Sequence, residues 1–387
     1  MNRETAAGTH NFTLGSLFDG IGGFPYAASF YGIRALWASE IMPECISITK
    51  RHFPDMVHLG DITRLHGGQL PPVDIITFGS PCQGWSICGR RRGMADERSG
   101  LFMEAIRIID EMKEATHGRN PQFTVWENVP HTLAALGGRD YQTVLQAFTK
   151  GEVPMPRSAK WASAGMVRSP GVDLAWCVYD ARNFGLAQRR KRLFLICDLG
   201  GQCAGEILFV PKSLYRRTAS GAAPWEKAAT PPGTGAEAAK RQFIVHPQTV
   251  GTLCASGAGL SRPAGMGSES DLCIVSAGFR YKAGSKAGNI GYQLETAPTL
   301  IAGQPSGVLT AAIMGDPESW DLTVRRLTPL EAERAMGLED SWTEYGYDGR
   351  KISDTKRYEM LGNSLAINCV AYIMQGICDA MERRNQS

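Results

Sequence analysis

Nowhere do the ten cysteines of this 387-residue chain form a C-x-x-C pair. Neither a zinc site nor a disulfide framework is therefore indicated, and a reducing compartment with one or two working thiols fits better. No apolar run is long enough to span a bilayer, and Met1 to His10 lacks the basic start and apolar stretch of a signal peptide. A cytoplasmic protein with no membrane attachment is expected. A large excess of one charge is missing too: a net charge of +3 does not by itself announce a nucleic-acid partner. The basic residues are clustered, however, at Arg90-Arg91-Arg92, Arg189 to Arg192, Arg216-Arg217 and Arg325-Arg326. Such runs are solvated faces in some proteins and phosphate contacts in others. The length suffices for about two domains with sizeable cores.

The G-x-G-x-x-G spacing of dinucleotide sites is also lacking. Instead, Phe12 to Phe18 reads as a strand ending in Asp19-Gly20-Ile21-Gly22-Gly23-Phe24, and Pro25 to Tyr31 reads as a helix. Glycines at a strand-to-helix turn let a ligand approach the backbone, and a helix amino terminus favours negative charge. A second strand, Ala35 to Ser39, ends at Glu40, placed to hold ribose hydroxyls. A third loop, Gly60-Asp61-Ile62, offers a carboxylate to an exocyclic amine such as adenine N6. The G-x-G-G turn does not favour a pyrophosphate, so an adenosine ligand without phosphates fits, S-adenosylmethionine being the common one.

Val73 to Phe78 reads as a short buried strand, apolar and β-branched, that runs into Gly79-Ser80-Pro81-Cys82-Gln83-Gly84-Trp85. A cysteine just beyond a strand's carboxyl end stands where open α/β sheets place their ligands, and Pro81 stiffens the approach to the thiol. Most free cysteines are small core residues. The polar flanks Ser80, Gln83 and Ser86 separate Cys82 from that group. Arg98 to Phe102 opens an amphipathic helix with apolar positions at Leu101, Ala105, Ile108, Ile109 and Met112. Phe123 to Trp126 is a strand delivering Glu127-Asn128-Val129, and Leu193 to Cys197 follows Gln188-Arg189-Arg190-Lys191-Arg192 as another. Helices alternating with strands predict an α/β fold with a mostly parallel sheet covered on both faces.

A strand-end Pro-Cys, a later Glu-Asn-Val and a Gln-x-Arg-x-Arg run behind a G-x-G-G nucleoside site resemble the DNA (cytosine-5)-methyltransferases. The resemblance covers roughly residues 13–200 and 322–375. It implies a Rossmann-like S-adenosylmethionine-dependent methyltransferase domain, 1–200 and 321–387, around a smaller, irregular, β-rich target-recognition domain, 201–320, with a flexible 215–242 segment. Cys82 would be the nucleophile, Glu127 the acid at the base, and Arg190 and Arg192 contacts to the flipped cytosine and its backbone. Phe18, Gly20, Gly22 and Gly23 would line the cofactor pocket, with Glu40 on the ribose and Ile41, Asp61, Ile62 and Leu101 around the adenine. Arg326-Leu327-Thr328-Pro329 with Glu331 resembles the family's penultimate block. Gly362-Asn363-Ser364 resembles the last, whose Asn363 and Ser364 would complete the cofactor pocket. Tyr358 departs from the pattern, standing where a glutamine is common. No metal is implied. The partner would be double-stranded DNA, bound by a monomer, and the resemblance allows a cognate restriction endonuclease as a second partner.

Cytosine C5 is too poor a nucleophile to take a methyl group directly, and a thiolate added at C6 makes the ring enamine-like at C5. DNA contacts are expected from Ser86, Arg90, Arg91 and Arg92 in a mobile Gly84 to Gly93 loop, and from Gln188. In the 201–320 interval, strands are expected at Gln242 to Val245, Leu272 to Val275 and Val308 to Met314. Thr252-Leu253 and Thr299-Leu300 are both candidates for the family's Thr-Leu element near the flipped base. Thr252-Leu253 is favoured because the following loop supplies Arg262 as a base-reading side chain. Three rivals remain open: a methyltransferase acting on an exocyclic amine of DNA, a tRNA cytosine-5 methyltransferase, and a catalytically silent DNA-binding regulator. A nicotinamide dehydrogenase is disfavoured by the glycine spacing.

Overall fold

The computed structural model describes residues 11–80, 97–209 and 327–386, and between 253 and 326 it describes the backbone of six strands. Five parallel strands form one side of an eight-stranded sheet. They are β1 (Thr13–Leu17), β2 (Arg34–Ser39), β3 (Val57–His58), β4 (Ile75–Phe78) and β5 (Phe123–Asn128), in the order β3-β2-β1-β4-β5. Next to β5, three antiparallel strands complete it: β9 (Lys191–Asp198), β7 (Val172–Asp180) and β6 (Ala164–Ser169).

Both faces are covered, which explains why β4 is buried at every position. Among the described residues the helices are α1 (Gly23–Ser29), α2 (Pro43–His52), α3 (Glu97–Ala115), α4 (Arg139–Thr149), α5 (Ala204–Leu208), α6 (Pro329–Met336), α7 (Asp354–Asn363) and α8 (Ile367–Gln386). Residues of α1, α2, α5, α6, α7 and α8 share one core cluster with Leu14, Ile75 and Phe123, while α3 and α4 pack with Leu17, Ile76, Phe78 and Trp126. The expected apolar stripe of α3 holds at Ala105, Ile108, Ile109 and Met112, all buried. On α8, Ile373, Met374 and Ile377 are fully enclosed, each side chain contributing about 1.5–3 kcal/mol by leaving water. The carboxyl-terminal segment is thus an integral part of the large sheet's core.

A second sheet joins β10 (Leu253–Ser256), β11 (Ser276–Ala283), β14 (Ser306–Ile313) and β15 (Trp320–Arg326), with β12 (Gln293–Leu294) alongside β11. β14 falls on the expected Val308 strand, and β15 pairs with β14 as far as Gly307↔Arg326. The chain therefore leaves this second sheet after Arg326. The expected strands Gln242 to Val245 and Leu272 to Val275, and the 215–242 segment, lie outside the described residues. Two further short strands, β8 (Gln188–Arg189) and β13 (Ala297–Pro298), pair in parallel with each other.

Candidate active site

The chain runs from β1 outward to β2 and β3, then crosses back to place β4 on the other side of β1. At such a reversal the connections leave in opposite directions and open a crevice beyond the strands' carboxyl ends. The glycine turn follows β1 at this point, and Gly79-Ser80 follows β4.

The turn is tightly specified. Phe18 has φ 54°, Gly20 57° and Gly22 80°, a left-handed path that glycine adopts without strain. The three glycines differ in their surroundings. A Cβ built on Gly20 meets nothing within 4 Å, whereas one on Gly22 would lie 2.9 Å from the Phe53 ring, and one on Gly23 3.0 Å from Leu365 Cδ1. Gly20 therefore borders open space, while Gly22 and Gly23 permit close packing of α2 and of the returning carboxyl-terminal segment. Glu40, just past β2, accepts the N–H of Gly20 at 2.8 Å through Oε2 and those of Ile41 and Met42 through Oε1 at 2.7 and 2.9 Å. Ile41 is 68% exposed, an apolar side chain left uncovered at the mouth of the crevice. Asp61 Oδ1 caps the short turn Ile62–Arg64 by accepting from Thr63 N and Oγ1. Those hydrogen bonds hold its carboxyl below the usual range. Ile62 is buried and Leu101 half-buried against the α3 side of the sheet.

Residues far along the chain close over the turn. Trp342 Nε1 donates to Ile21 O at 2.9 Å, and its ring stacks on His52 at 3.7 Å. The loop bearing Trp342 is fixed by Glu333, whose fully buried carboxylate accepts from the Ser341 and Thr343 amides and pairs with Arg357 at 2.9 Å. Leu365 packs on Gly23, which brings Gly362-Asn363-Ser364 beside the crevice, Asn363 exposed and Ser364 half-buried.

Glu127 defines the second rim. β9 runs antiparallel to β5, so its first residues return to the end of the sheet where β5 finishes. Arg192 Nε thereby comes to 2.8 Å from Glu127 Oε1, a close ion pair. Burial pushes the Glu127 carboxyl up, and the charges of Arg192 and Arg190 pull it part of the way back. A Cβ on Gly79 would stand 3.3 Å from Glu127 Oε2, so the Cys82 loop starts against this carboxylate. Ser80 is buried and anchored there: Trp126 Nε1 donates to its Oγ at 3.1 Å, and Asn128 Nδ2 lies 3.5 Å from its carbonyl.

Arg190 is placed differently from the expectation of a base contact. It is 1% exposed and donates to the carbonyls of Gly362, at 3.1 Å, and Ser364, so it ties the last block to the sheet. Gln188, expected at the DNA, is fully enclosed on β8, and among the described residues neither amide atom finds a hydrogen-bond partner. Thr328 and Glu331 form the capping box of α6, and Tyr358 donates to Leu327 O. Cys82, Ser86, Arg90, Arg91, Arg92, Thr252 and Arg262 lie outside the described residues, as do the Leu253 side chain and Thr299-Leu300, which directly follow β13. Among described residues, burial raises the thiol pKa of Cys45, Cys177, Cys197, Cys203, Cys369 and Cys378, so none is a ready nucleophile. Sequence reasoning did not single out Asp19, Trp126 or Trp342. For Asp19 the signal was an acid wedged between an apolar strand and a glycine.

Residues 12–213 match the C-5 cytosine-specific DNA methylases, and the chain belongs to that family. It is 25% identical to the DNA N-6-adenine-methyltransferase of Escherichia phage P1 over 96% of this chain and 62% of that protein. To the type II methyltransferase M.NlaIV of Neisseria lactamica it is 30% identical over 43% of this chain and 35% of that protein. The chain thus spans less than two thirds of these relatives' length. The type II methyltransferase M.HhaI of Haemophilus parahaemolyticus is covered more fully, with 24% identity over 93% of this chain and 92% of that protein. The fold is shared with a DNA modification methyltransferase from an E. coli prophage (TM-score 0.54, 17% identity, 96% and 100% of the two chains). It is shared equally with S. pombe Dnmt2 methyltransferase (TM-score 0.52, 15% identity, 96% and 99%).

Proposed function

We propose that this chain transfers a methyl group from S-adenosylmethionine to C5 of a flipped cytosine in duplex DNA, with Cys82 as the nucleophile. The observation that carries the reading is the convergence of two rims. Gly79, which opens the Cys82 loop, lies against the Glu127–Arg192 pair beside a glycine turn bordered by open space.

The donor set fits the cofactor. Glu40 is held by three amides at the height of the ribose, Ile41 is uncovered for an adenine face, and Asp61 retains Oδ2 for an exocyclic amine. Asn363 and Ser364 would close the pocket. Bound there, S-adenosylmethionine supplies an electrophilic methyl group. Cys82 as thiolate adds to C6 of the pyrimidine, and C5 becomes nucleophilic. Once C5 carries the methyl group, with S-adenosylhomocysteine as the leaving group, its proton passes to water and the thiolate is expelled, which restores the aromatic ring. Glu127, whose carboxyl burial pushes up against the pull of Arg192 and Arg190, is placed to share a proton with N3 as charge builds on the ring, and Arg192 stands at O2. Arg190 serves from behind, holding the closing segment. Extrusion of the base from the stack costs a few kcal/mol, so duplex contacts must supply that energy.

A second reading is favoured by the name of the phage P1 relative, an N-6-adenine-methyltransferase. Exocyclic-amine chemistry uses a Pro-Pro-aromatic loop, and Ser80-Pro81-Cys82-Gln83 puts a thiol and an amide there. Incubation with duplex DNA and S-adenosylmethionine, followed by nucleoside mass spectrometry, decides between them. 5-Methylcytosine is expected, and N6-methyladenine would overturn the assignment.

A further inference from the structure

Where β5 ends, the chain enters the irregular segment Pro130–Gly138 before α4 begins. The segment stays at the carboxyl rim of the parallel strands. Thr132 Oγ1 donates to Asn128 Oδ1 at 3.3 Å, and the rings of Trp126 and of Tyr141, in the first turn of α4, lie stacked with centroids 6.5 Å apart. Ala135 is extended, whereas Leu136 (φ 46°, ψ 41°) and Gly137 (φ 68°, ψ 23°) are both left-handed. Two such residues in succession make a type I′ turn, whose preferred sequence is Asn-Gly. Leucine suits the first position poorly, because its Cβ crowds the backbone there. Burial offsets none of this, since Leu136 is 61% exposed. A strained backbone that holds a large apolar side chain out in solvent points to a contact outside the fold.

The surroundings say which contact. A Cβ built on Gly138 would stand 2.9 Å from Trp161 Cδ1 and 3.2 Å from Met155 Cε, and Trp161 Nε1 donates to Gly138 O at 2.7 Å. The stretch from Met155 to Trp161 therefore packs against the turn and brings its cations with it. Arg139, Arg157 and Lys160 are all exposed, and among the described residues none of them is held in an ion pair. Between 130 and 161 the acids are Asp140, which is buried, and Glu152. The matching partner offers anions and an apolar face side by side. The edge of a DNA duplex does so, its phosphates alternating with deoxyribose rings, and it must lie over this rim if a cytosine is to reach Glu127.

We propose that the Leu136 turn is a duplex-docking surface of the large domain: Leu136 packs on deoxyribose beside the target, and Arg139, Arg157 and Lys160 take flanking phosphates. This rests on the reading of duplex DNA as the substrate, and adds a surface outside both the Gly84 to Gly93 loop and the 201–320 interval.

The test is duplex binding by the full chain, followed by fluorescence anisotropy over a series of salt concentrations. Leu136→Asn supplies the residue the turn prefers. It should raise the unfolding temperature and yet weaken duplex binding roughly tenfold, with the salt dependence and S-adenosylhomocysteine affinity unchanged. A leucine with a purely structural role predicts the reverse, lower stability and unchanged duplex affinity. Arg139→Gln, Arg157→Gln and Lys160→Gln combined should lower the slope of log affinity against log salt by about one per contact, roughly three in all. Unchanged duplex binding in either variant overturns the proposal. So does a wild-type dimer that Leu136→Asn dissolves, which assigns the leucine to a second copy. Should a variant fail to fold, hydrogen exchange on the wild type decides: added duplex should slow exchange at 134–139 and 157–160, and no protection there overturns the proposal. If the wild type methylates duplex cytosine and both variants match it, this inference alone falls. If the wild type binds no duplex, the substrate reading falls with it.

Discussion

Arg192 Nε lies 2.8 Å from Glu127 Oε1, although 64 positions along the chain separate the two residues. The pairing is a consequence of strand direction: β9 enters the sheet antiparallel to β5 and so begins at the rim where β5 ends. A buried carboxyl with a raised pKa and a guanidinium beside it can give a proton while charge on a bound ring is balanced.

Glu127→Gln should lower kcat by roughly 10²-fold or more, the range of a lost general acid, with S-adenosylhomocysteine affinity unchanged. Single-turnover methylation and calorimetry check the two halves. Because burial raises this carboxyl, its protonated, donating form prevails at low pH and is lost as pH rises through the raised value. Arg192→Leu removes an opposing cation, so that loss should move to higher pH in a kcat profile.

Ser80→Ala leaves the Trp126 indole N–H without its Ser80 acceptor and should cost about 1–3 kcal/mol in urea unfolding. Methyl transfer should fall further than stability alone explains, since Ser80 anchors the loop that carries Cys82. Ser80→Thr, which keeps the hydroxyl, should recover most of both.

The glycines of the turn should separate binding from folding. Gly20→Ala meets no neighbour, only the left-handed φ of 57°, so about 1 kcal/mol of stability should be lost while cofactor binding falls more. Gly22→Ala combines φ 80° with the Phe53 ring at 2.9 Å and should be clearly less stable. Thermal unfolding of the two variants, with and without S-adenosylhomocysteine, distinguishes them.

Arg357→Met strips the cation from Glu333, whose carboxylate is fully buried and organises the loop bearing Trp342. Breaking a buried pair from one side should cost about 3–5 kcal/mol. The loss should be visible as a large drop in urea midpoint and as weakened packing over Ile21.

The parallel part of the sheet was legible because short β-branched runs such as Val73 to Phe78 end in glycine, and because α3 keeps its apolar residues at helical spacing. The β6–β7 hairpin was not foreseen. β7 is covered on both faces and carries a buried Asp173, so neither alternation nor composition marks it as a strand. α2 escaped notice for a different reason: with only Cys45, Ile48 and Thr49 buried, its stripe is too short to read. In the site, Glu40 and Glu127 could be placed from strand ends. The separate fates of Arg190 and Arg192 could not, because they depend on which face of β9's approach meets the returning carboxyl-terminal segment. Gln188 shows the same limit, since its strand pairs with β13, more than a hundred residues away.

The most direct measurement uses a duplex carrying 5-fluorocytosine at the target, incubated with the protein and S-adenosylmethionine and then digested for peptide mass spectrometry. With fluorine in place of the C5 proton, elimination is blocked, and a methylated pyrimidine should remain bonded to Cys82. An adduct on another side chain, or methylated DNA with no adduct at all, would contradict cysteine-mediated methyl transfer at C5.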